Sequence, residues 1–344
     1  EQGIEVNVED SIAAIENYIS SEWDGGNAEI ELVAEVVEPR GSEEDLEQIT
    51  DMMGSYTTNY KDSGQNRCDN ISNATSKING TLLYPGEEFS VYEAIGPLDA
   101  ANGYELAGAY ENGQTVESYG GGVCQVSTTL YNAVILAELE ITQRSNHSMI
   151  VSYVKPSMDA AIAGDYKDLR FVNNQDIPIY IEGYTEGKNV TFKIYGHDTR
   201  PSNRVVTYES EVVSEQDPGT QYVATGDPAG YMKTAQGKHI GYVARLWKVV
   251  TVDGVEESRE IFNKSTYKAS PKIVNVGTAS ADPNVSAVIG AALATGDEAT
   301  INAAVAPYAA SAAAILNPAP VEQPSQEEQA ITGTVDESQI TGGE

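Results

Sequence analysis

The stretch Tyr119-Gly-Gly-Gly-Val-Cys-Gln-Val-Ser-Thr-Thr-Leu-Tyr131 places three glycines directly before a cysteine. Apolar residues then recur at helical spacing, and neither Gly nor Pro interrupts them as far as Leu139. The sequence therefore predicts a helix that begins near Cys124. The partial positive charge at a helix start stabilises a thiolate, which is the nucleophilic form of cysteine. The alternative is a buried, unreactive cysteine on the apolar face of that helix.

A nucleophilic thiol needs a base, and the chain contains three histidines, His147, His197 and His239. His147 follows the predicted helix and precedes an apolar alternation from Met149 to Val154, which predicts a strand. A strand that packs back on the helix would return His147 to Cys124. We therefore expect His147 to serve the thiol, with a purely structural histidine as the alternative.

Several motifs around these residues resemble one known family. They are the run Asn79-Gly-Thr-Leu-Leu-Tyr-Pro-Gly-Glu-Glu-Phe-Ser90, the glycine–cysteine stretch up to Tyr131, Arg144, His147, Tyr153-Val and Asp159-Ala160. Together they resemble the VanW domain of Gram-positive envelope proteins over roughly residues 50 to 200. The family takes its name from a glycopeptide-resistance cluster, and some members act as L,D-transpeptidases. The Ser-His-Gly-Cys signature of the commoner L,D-transpeptidase fold is absent from this sequence.

The resemblance implies a peptidoglycan L,D-transpeptidase that forms 3-3 cross-links between stem peptides. Cys124 would be the nucleophile and His147 the general base and acid, with Asp159 orienting His147. Asp159 and Asp165 also fit the alternative of solvated turn residues. Backbone N–H groups of Gly122, Val123 and Cys124 would form an oxyanion pocket, and Arg144 would pair with a stem carboxylate. The predicted oxyanion and substrate-binding residues are Gly121, Gly122, Val123, Gln125, Ser127 and Arg144.

The composition limits the possible partners. A formal net charge of −32 argues against nucleic acid and disfavours an anionic membrane surface. The spacing of Cys and His suggests no metal site, and we expect no cofactor. The two cysteines, Cys68 and Cys124, are too few for a disulfide framework. A bridge between them stays open as an alternative, and it would block the proposed nucleophile.

The 344 residues are too many for one compact domain of ordinary size. Residues 1–50 resemble the end of a peptidoglycan-binding module, with a plain structural extension as the alternative. By the resemblance to VanW, we expect residues 51–203 to form the catalytic domain, of α+β class with a mostly antiparallel sheet and few helices. Residues 204–278 resemble an elongated all-β G5 domain. Residues 279–344 contain no Lys or Arg, and we expect this acidic Ala/Pro/Gln-rich tail to be disordered.

Local patterns predict individual elements. Val8–Ile19 and Arg67–Ile78 read as helices and Ala28–Val37 as a strand. Asn112-Gly113 predicts the turn of a hairpin that leads into the glycine run.

The chain starts at Glu1, and we see neither a secretory signal nor a hydrophobic run long enough to span a membrane. We expect a mature form whose anchor has been removed, located in the cell wall or on the outer membrane face of a Gram-positive bacterium. Membrane contact would come only through that anchor. The expected partners are peptidoglycan stem peptides and wall glycans. The alternative function is a non-catalytic cell-wall-binding or adhesion protein.

Overall fold

The structure is a computed structural model. It describes residues 3–37, 41, 43–111, 114–164 and 166–316. Contacts between Cα atoms divide the chain into two compact units. The first unit comprises Glu1–Pro218 with His239–Ser270, and the second comprises Gly219–Lys238 with Pro271–Glu344. Each unit is described by itself.

The helices of the described residues are α1 (Val8–Ser21), α2 (Glu43–Glu47), α3 (Gln65–Ile78), α4 (Val91–Ile95), α5 (Val123–Leu136), α6 (Pro283–Thr295), α7 (Glu298–Val305) and α8 (Ala309–Leu316). The strands are β1 (Gly3–Val6), β2 (Ala34–Val37), β3 (Asp51–Asn59), β4 (Thr81–Leu83), β5 (Glu88–Ser90), β6 (Leu106–Glu111), β7 (Gln114–Tyr119), β8 (Glu140–Gln143), β9 (Arg170–Val172), β10 (Ile179–Glu186), β11 (Asn189–Gly196), β12 (Arg204–Gln216), β13 (Thr220–Pro228), β14 (Met232–Gln236), β15 (Gly241–Val252), β16 (Val255–Tyr267) and β17 (Lys272–Ala279).

The core of the first unit is the antiparallel sheet β3-β11-β10-β4, covered by α3 and α5. Ile71 and Ile78 of α3 and Leu130 of α5 are fully buried, because each helix turns its apolar side towards the sheet. Helix α5 lies very close to the sheet at Gly54, where an added Cβ would lie 2.3 Å from the carbonyl oxygen of Ala133. Helices on one face of an antiparallel sheet confirm the predicted α+β class.

A second sheet of the first unit, β12-β15-β16, is also antiparallel. Leu246 of β15 belongs to the same buried cluster as the α5 residues. The hydroxyl of Tyr208 in β12 donates to the carbonyl of Ile135 at 2.9 Å. Glu138 accepts from Arg204 at 2.5 Å and pairs with Lys248 at 2.7 Å. The three strands therefore pack as part of the first unit, although the sequence assigns them to a module of their own at 204–278.

The local predictions have mixed outcomes. The helices expected at Val8–Ile19 and Arg67–Ile78 are present as α1 and α3. The strand expected over Ala28–Val37 is limited to β2. Strands β6 and β7 pair as a hairpin, while its predicted turn at Asn112-Gly113 lies outside the described residues. Both cysteines are free thiols, so the alternative of a disulfide between them is wrong.

The strand predicted from Met149 to Val154 is absent, which corrects that expectation. Met149 and Val151 are buried, whereas Ser152, which follows Val151, is exposed. The apolar alternation therefore reflects which side chains face the protein interior. The segment itself is irregular and pairs with no neighbouring strand in the described part of the chain. The strand that does follow α5 is β8, at Glu140–Gln143, and it pairs with β9.

The second unit contains the sheet β13-β17-β14, in which β13 is parallel to β17. Helices α6 and α7 bury Ile289, Ile301 and Val305 in one cluster with Val276 of β17. The expectation of a disordered tail from residue 279 is therefore wrong as far as Leu316. Residues 317–344, the rest of that tail, lie outside the described residues. Alanine-rich helices can approach the sheet closely, so a few large side chains are enough to form this cluster. The sequence therefore shows no broad apolar face.

Capping residues fix the ends of these helices. Asp282 accepts from the backbone N–H of Asn284 at 2.9 Å, and Asp297 accepts from that of Thr300 at 2.8 Å. The stretch Glu298–Leu316, with a mean hydropathy of 1.4, is long and apolar enough to cross a membrane by length and composition alone. The short 3-10 turn Ala306–Tyr308 divides it, and Ile301, Val305 and Ala312 are buried within the protein. Length and composition are therefore weak evidence that this stretch crosses a membrane.

We predict that Ile289→Ala lowers the stability of the second unit by about 2–5 kcal/mol, because it leaves a cavity in the cluster around Val276. Ile315→Ala is the matched control, because Ile315 is 64% exposed, and its effect should stay within about 0.5 kcal/mol. Hydrogen-exchange mass spectrometry of peptides covering β17 and α6 measures the opening free energy. Equal protection in both variants would show that the helices do not stabilise the sheet.

Candidate active site

The cysteine is presented by a tight turn between β7 and α5. Gly120 and Gly122 have φ of 73° and 116°, a region that favours glycine. Gly121 packs so closely on β6 that an added Cβ would lie 2.5 Å from the carbonyl oxygen of Ala107. Helix α5 begins at Val123, which makes Cys124 its second residue. The predicted placement of the thiol in the first turn of a helix is therefore observed.

The thiol of Cys124 lies in a partly buried pocket beside two groups. Its Sγ atom is 3.4 Å from the backbone N and from the carbonyl oxygen of Ile162. It is also a hydrogen-bond partner of the His147 side chain. Burial by itself raises the pKa of the Cys124 thiol, but the hydrogen bond with His147 and the charge of that imidazole outweigh burial. The pKa of Cys124 is therefore lowered, which favours the thiolate.

The imidazole of His147 is held by a carboxylate. Its Nδ1 atom lies 2.7 Å from Oδ2 of Asp159, and the same oxygen accepts from the His147 backbone N–H at 2.7 Å. Because Nδ1 faces Asp159, Nε2 is the ring nitrogen left for the thiol. Burial by itself lowers the pKa of His147, but hydrogen bonds with Asp159 and Cys124 raise it to about 9. The pair therefore favours imidazolium and thiolate at neutral pH.

Asp159 is a buried charge with several partners. Its side chain accepts from Nη2 of Arg144 at 3.1 Å and from the hydroxyl of Tyr267. Burial by itself raises the pKa of the Asp159 carboxyl, but hydrogen bonding to His147 and the charges of His147 and Arg144 hold it below its usual value. The chain thus forms a Cys124–His147–Asp159 constellation in which each member contacts the next.

The structure corrects the role expected for Arg144. Its side chain is 7% exposed, and its guanidinium donates to the carbonyl and the carboxylate of Asp159 and, at 2.9 Å, to Oγ of Ser265. A guanidinium that is buried and hydrogen-bonded in this way is not accessible to a substrate carboxylate. Arg144 therefore supports Asp159 instead of binding a ligand.

Gln125 and Ser127, expected at the substrate, also point into the protein. The amide of Gln125 donates to Thr58 and to the carbonyl of Asn59, both at 3.0 Å, and accepts from Arg67 at 2.8 Å. The hydroxyl of Ser127 lies 2.7 Å from the carbonyl oxygen of Ala160. These side chains fasten α5 to β3 and to the segment after Asp159. This corrects the expectation that Ser127 contacts a ligand, whereas the amide of Gln125 is already paired although the residue lines the site.

Part of the expected oxyanion pocket is already occupied. The N–H of Val123 donates to the Gly120 carbonyl at 3.0 Å, and that of Gly121 donates to the Ser118 carbonyl at 3.3 Å. Both groups are therefore removed from the predicted pocket. The N–H groups of Gly122 and Cys124 have no acceptor in the described part of the chain. They are the donors available to a developing oxyanion.

Sequence reasoning missed residues that lie far along the chain. Tyr267, at the end of β16, donates to Asp159 and accepts from the backbone N–H of Ser157 at 2.7 Å. Tyr153 contacts the His147 ring edge-on, with 6.5 Å between centroids. Tyr153, which is partly buried, had a local signal, its place in the alternation after His147. Tyr267 had none, because 108 positions separate it from Asp159.

Two adjoining cavities open at the site. The first, of about 540 Å³, is lined by the glycine turn, Cys124, His147, Tyr153 and Ile162. The second, of about 840 Å³, is lined largely by residues 59–67 and the start of β6. Both are lined by Arg67, Gly108, Gln125, Ser152 and Tyr153. The thiol therefore faces a space large enough for peptide groups. Among the described residues no cluster of three or more His, Cys, Asp or Glu could hold a metal ion.

Comparison with known proteins gives this arrangement a family context. The family model described as "VanW like protein" matches residues 66–195, which include Cys124, His147 and Asp159. The G5 domain model matches residues 207–279. The chain therefore contains a VanW-like domain followed by a G5 domain, as the sequence predicts.

Two curated relatives match parts of this chain. The uncharacterized protein YoaR of Bacillus subtilis is 34% identical over 187 residues, which cover 54% of this chain and 62% of YoaR. The vancomycin B-type resistance protein VanW of Enterococcus faecalis is 30% identical over 118 residues, which cover 33% of this chain and 42% of that protein. The chain thus matches less than two thirds of each relative. The solved G5 domain of an IgA1 protease is 28% identical over 22% of this chain and 94% of its own, with a TM-score of 0.17.

We predict that His147→Ala raises the pKa of Cys124, because burial of the thiolate is then no longer offset by the imidazolium. The pH dependence of iodoacetamide alkylation, followed in a Cys68→Ser background, reports this pKa. In the parent protein the midpoint should lie below about 8.5, and in His147→Ala it should move upwards. The matched control is His197→Ala, because the His197 side chain is 53% exposed. An unshifted midpoint in His147→Ala would contradict the thiolate–imidazolium pair.

We predict that Tyr267→Phe lowers the free energy of unfolding of the first unit by about 1–3 kcal/mol, because it leaves a buried carboxylate and the Ser157 N–H short of a partner. Chemical denaturation followed by tryptophan fluorescence measures this. Tyr242→Phe is the control, since Tyr242 pairs with Tyr267 across β15 and β16 and its hydroxyl has no partner among the described residues. Equal effects of the two changes would contradict a specific role for the Tyr267 hydroxyl.

Proposed function

We propose that this protein acts at the bacterial cell wall as a cysteine L,D-transpeptidase that forms 3-3 cross-links between peptidoglycan stem peptides. The observation that carries the proposal is the Cys124–His147–Asp159 constellation, which opens on a cavity inside the VanW-like domain. A thiol activated by a buried imidazole is suited to acyl transfer, and the proposed reaction needs no metal or cofactor. The similarity to a vancomycin-resistance protein and the G5 domain support a place in the cell envelope.

The first half-reaction forms a thioester. The Cys124 thiolate attacks the carbonyl carbon between the third and fourth residues of the donor stem, and its negative charge moves to the carbonyl oxygen. The N–H groups of Gly122 and Cys124 would stabilise that oxyanion. When the intermediate collapses, the carbon–nitrogen bond breaks. His147 donates its Nε2 proton to the leaving nitrogen, and the terminal D-alanine departs with an unchanged carboxylate.

The second half-reaction restores the enzyme. A side-chain amine of the acceptor stem attacks the thioester carbonyl, and neutral His147 takes one proton from that amine. The carbon–sulfur bond then breaks, which forms the 3-3 amide and regenerates the thiolate–imidazolium pair. Asp159 keeps Nδ1 protonated throughout and so leaves Nε2 to give and take the proton. The lowered Cys124 pKa also makes the thiolate a good leaving group in this step.

The second candidate function is a non-catalytic cell-wall-binding or adhesion protein, which the G5 domain favours. In that case Cys124 would be a structural thiol and the cavity a binding pocket. A binding protein would retain ligand without turnover, whereas the proposed enzyme releases one D-alanine for each acyl transfer. Incubation of the purified protein with defined tetrapeptide stems separates the two functions.

We predict that Cys124→Ala abolishes 3-3 cross-linking, a loss of at least about 1,000-fold, while the melting temperature stays close to that of the parent. Mass spectrometry of the products measures cross-linked dimers, the thioester on Cys124 and released D-alanine. Cys68→Ala is the matched control, since Cys68 is the other free thiol and is not among the residues lining either cavity. Full cross-linking by Cys124→Ala would overturn the proposed function, and so would an inactive parent protein.

A further inference from the structure

The two cavities share one cationic side chain, Arg67 of α3. The described residues that line the smaller cavity include no Asp, Glu or Lys, and Arg67 and His147 are the groups there that can carry positive charge. This contrasts with the whole chain, which has 52 acidic and 20 basic residues apart from its histidines. The described lining around the thiol therefore includes cationic side chains and no acidic one, within a strongly acidic protein.

Arg67 differs from the other arginines that the structure describes. Each of the others forms an ion pair with at least one carboxylate; they are Arg144, Arg170, Arg200, Arg204, Arg245 and Arg259. Arg67 instead donates to two neutral acceptors, Oγ of Ser63 at 2.7 Å and Oε1 of Gln125 at 2.8 Å. No carboxylate among the described residues pairs with it. With acidic side chains in such excess, an arginine in a cleft that pairs with no carboxylate of the described residues is available to a carboxylate ligand.

The position of Arg67 is fixed beside the nucleophile. Its two hydrogen bonds hold the guanidinium, which has five N–H donors in all and so keeps donors for a ligand. Its aliphatic stem packs on the glycine turn, since a Cβ on Gly122 would lie 3.0 Å from Arg67 Cγ. A guanidinium held in place binds carboxylates well, because its planar fork matches their geometry and little side-chain freedom is lost.

We propose that Arg67 binds the terminal carboxylate of the donor stem and so selects peptides that end in a free carboxyl group. This inference rests on the proposed function and assigns to Arg67 the role that the sequence suggested for Arg144. The terminal carboxylate is part of the departing D-alanine, three bonds from the carbonyl carbon under attack. Its binding places that carbonyl over Cys124 and leaves the other arm of the cleft for the acceptor.

The first test uses two alkylating agents of the same size. Iodoacetate carries a carboxylate and iodoacetamide an uncharged amide. Both form a carbon–sulfur bond with the thiolate through their CH2 carbon, break the carbon–iodine bond and release iodide. The test measures the rate with iodoacetate divided by the rate with iodoacetamide, in a Cys68→Ser background at a pH where Cys124 is fully ionised. This ratio should be higher for the protein than for free glutathione. Arg67→Gln should lower the ratio on the order of tenfold, and Arg67→Lys, which keeps the charge, should lower it less.

Lys61→Gln is the matched control for charge, since it removes one positive charge from an exposed residue that lines the larger cavity. Its ratio should equal that of the parent. An equal fall in Lys61→Gln and Arg67→Gln would overturn the proposal, because it would show a general field effect. A parent ratio no higher than that of glutathione would overturn it too, whether or not the variants fold.

The second test compares a donor tetrapeptide with its C-terminal amide. The parent protein should prefer the free acid by about tenfold in kcat/KM, mainly through KM, and Arg67→Gln should lose that preference. Equal use of acid and amide by the parent would overturn the carboxylate assignment while leaving transpeptidation intact. Absence of turnover with both peptides would refute the proposed function alone, because the alkylation ratio still measures recognition of the carboxylate by Arg67.

Discussion

The candidate site depends on one buried negative charge, the carboxylate of Asp159. An isolated carboxylate is very costly to bury, so it must be neutralised and hydrogen-bonded. Arg144 and His147 supply positive charge, and the hydroxyl of Tyr267 and the backbone N–H of His147 supply further donors. Removing any one of these partners leaves the buried carboxylate with too few hydrogen bonds or too little compensating charge. The position of the imidazole, and through it the ionisation of Cys124, therefore follows from how this charge is compensated.

The same requirement explains why irregular segments carry the site. His147 and Asp159 lie outside any helix or strand, yet both are buried, so their backbone and side-chain polar groups need fixed partners. Helix α5 fixes the residues on either side of Asp159, since Thr128 accepts from the N–H of Ala160, and Asn132 donates to the carbonyl of Met158. One helix thus presents the nucleophile at its start and anchors the segment containing Asp159 along its length.

Much of the site could be predicted from local sequence. The glycines before Cys124 and the apolar period after it are sufficient to place the thiol at a helix start, and His147 was a short distance away. The arrangement around Arg144 could not be predicted, because nothing local distinguishes an arginine that meets a substrate from one that meets a buried aspartate. Helices α6 and α7 were missed for a related reason. Their buried face is narrow, and the cluster that covers it joins β17, which directly precedes α6, to Ala229, which lies far from them in the chain.

Strand β16 lies in the region matched by the G5 domain, but Tyr267 and Ser265 at its end contact Asp159 and Arg144 of the VanW-like domain. The two domains are therefore not independent parts at this junction. If recombination replaced the G5 segment by one without a hydroxyl at these two positions, both termini could be joined correctly and the buried carboxylate would still lose partners. An exchange of the G5 segment in this chain would therefore have to keep these two hydroxyl groups.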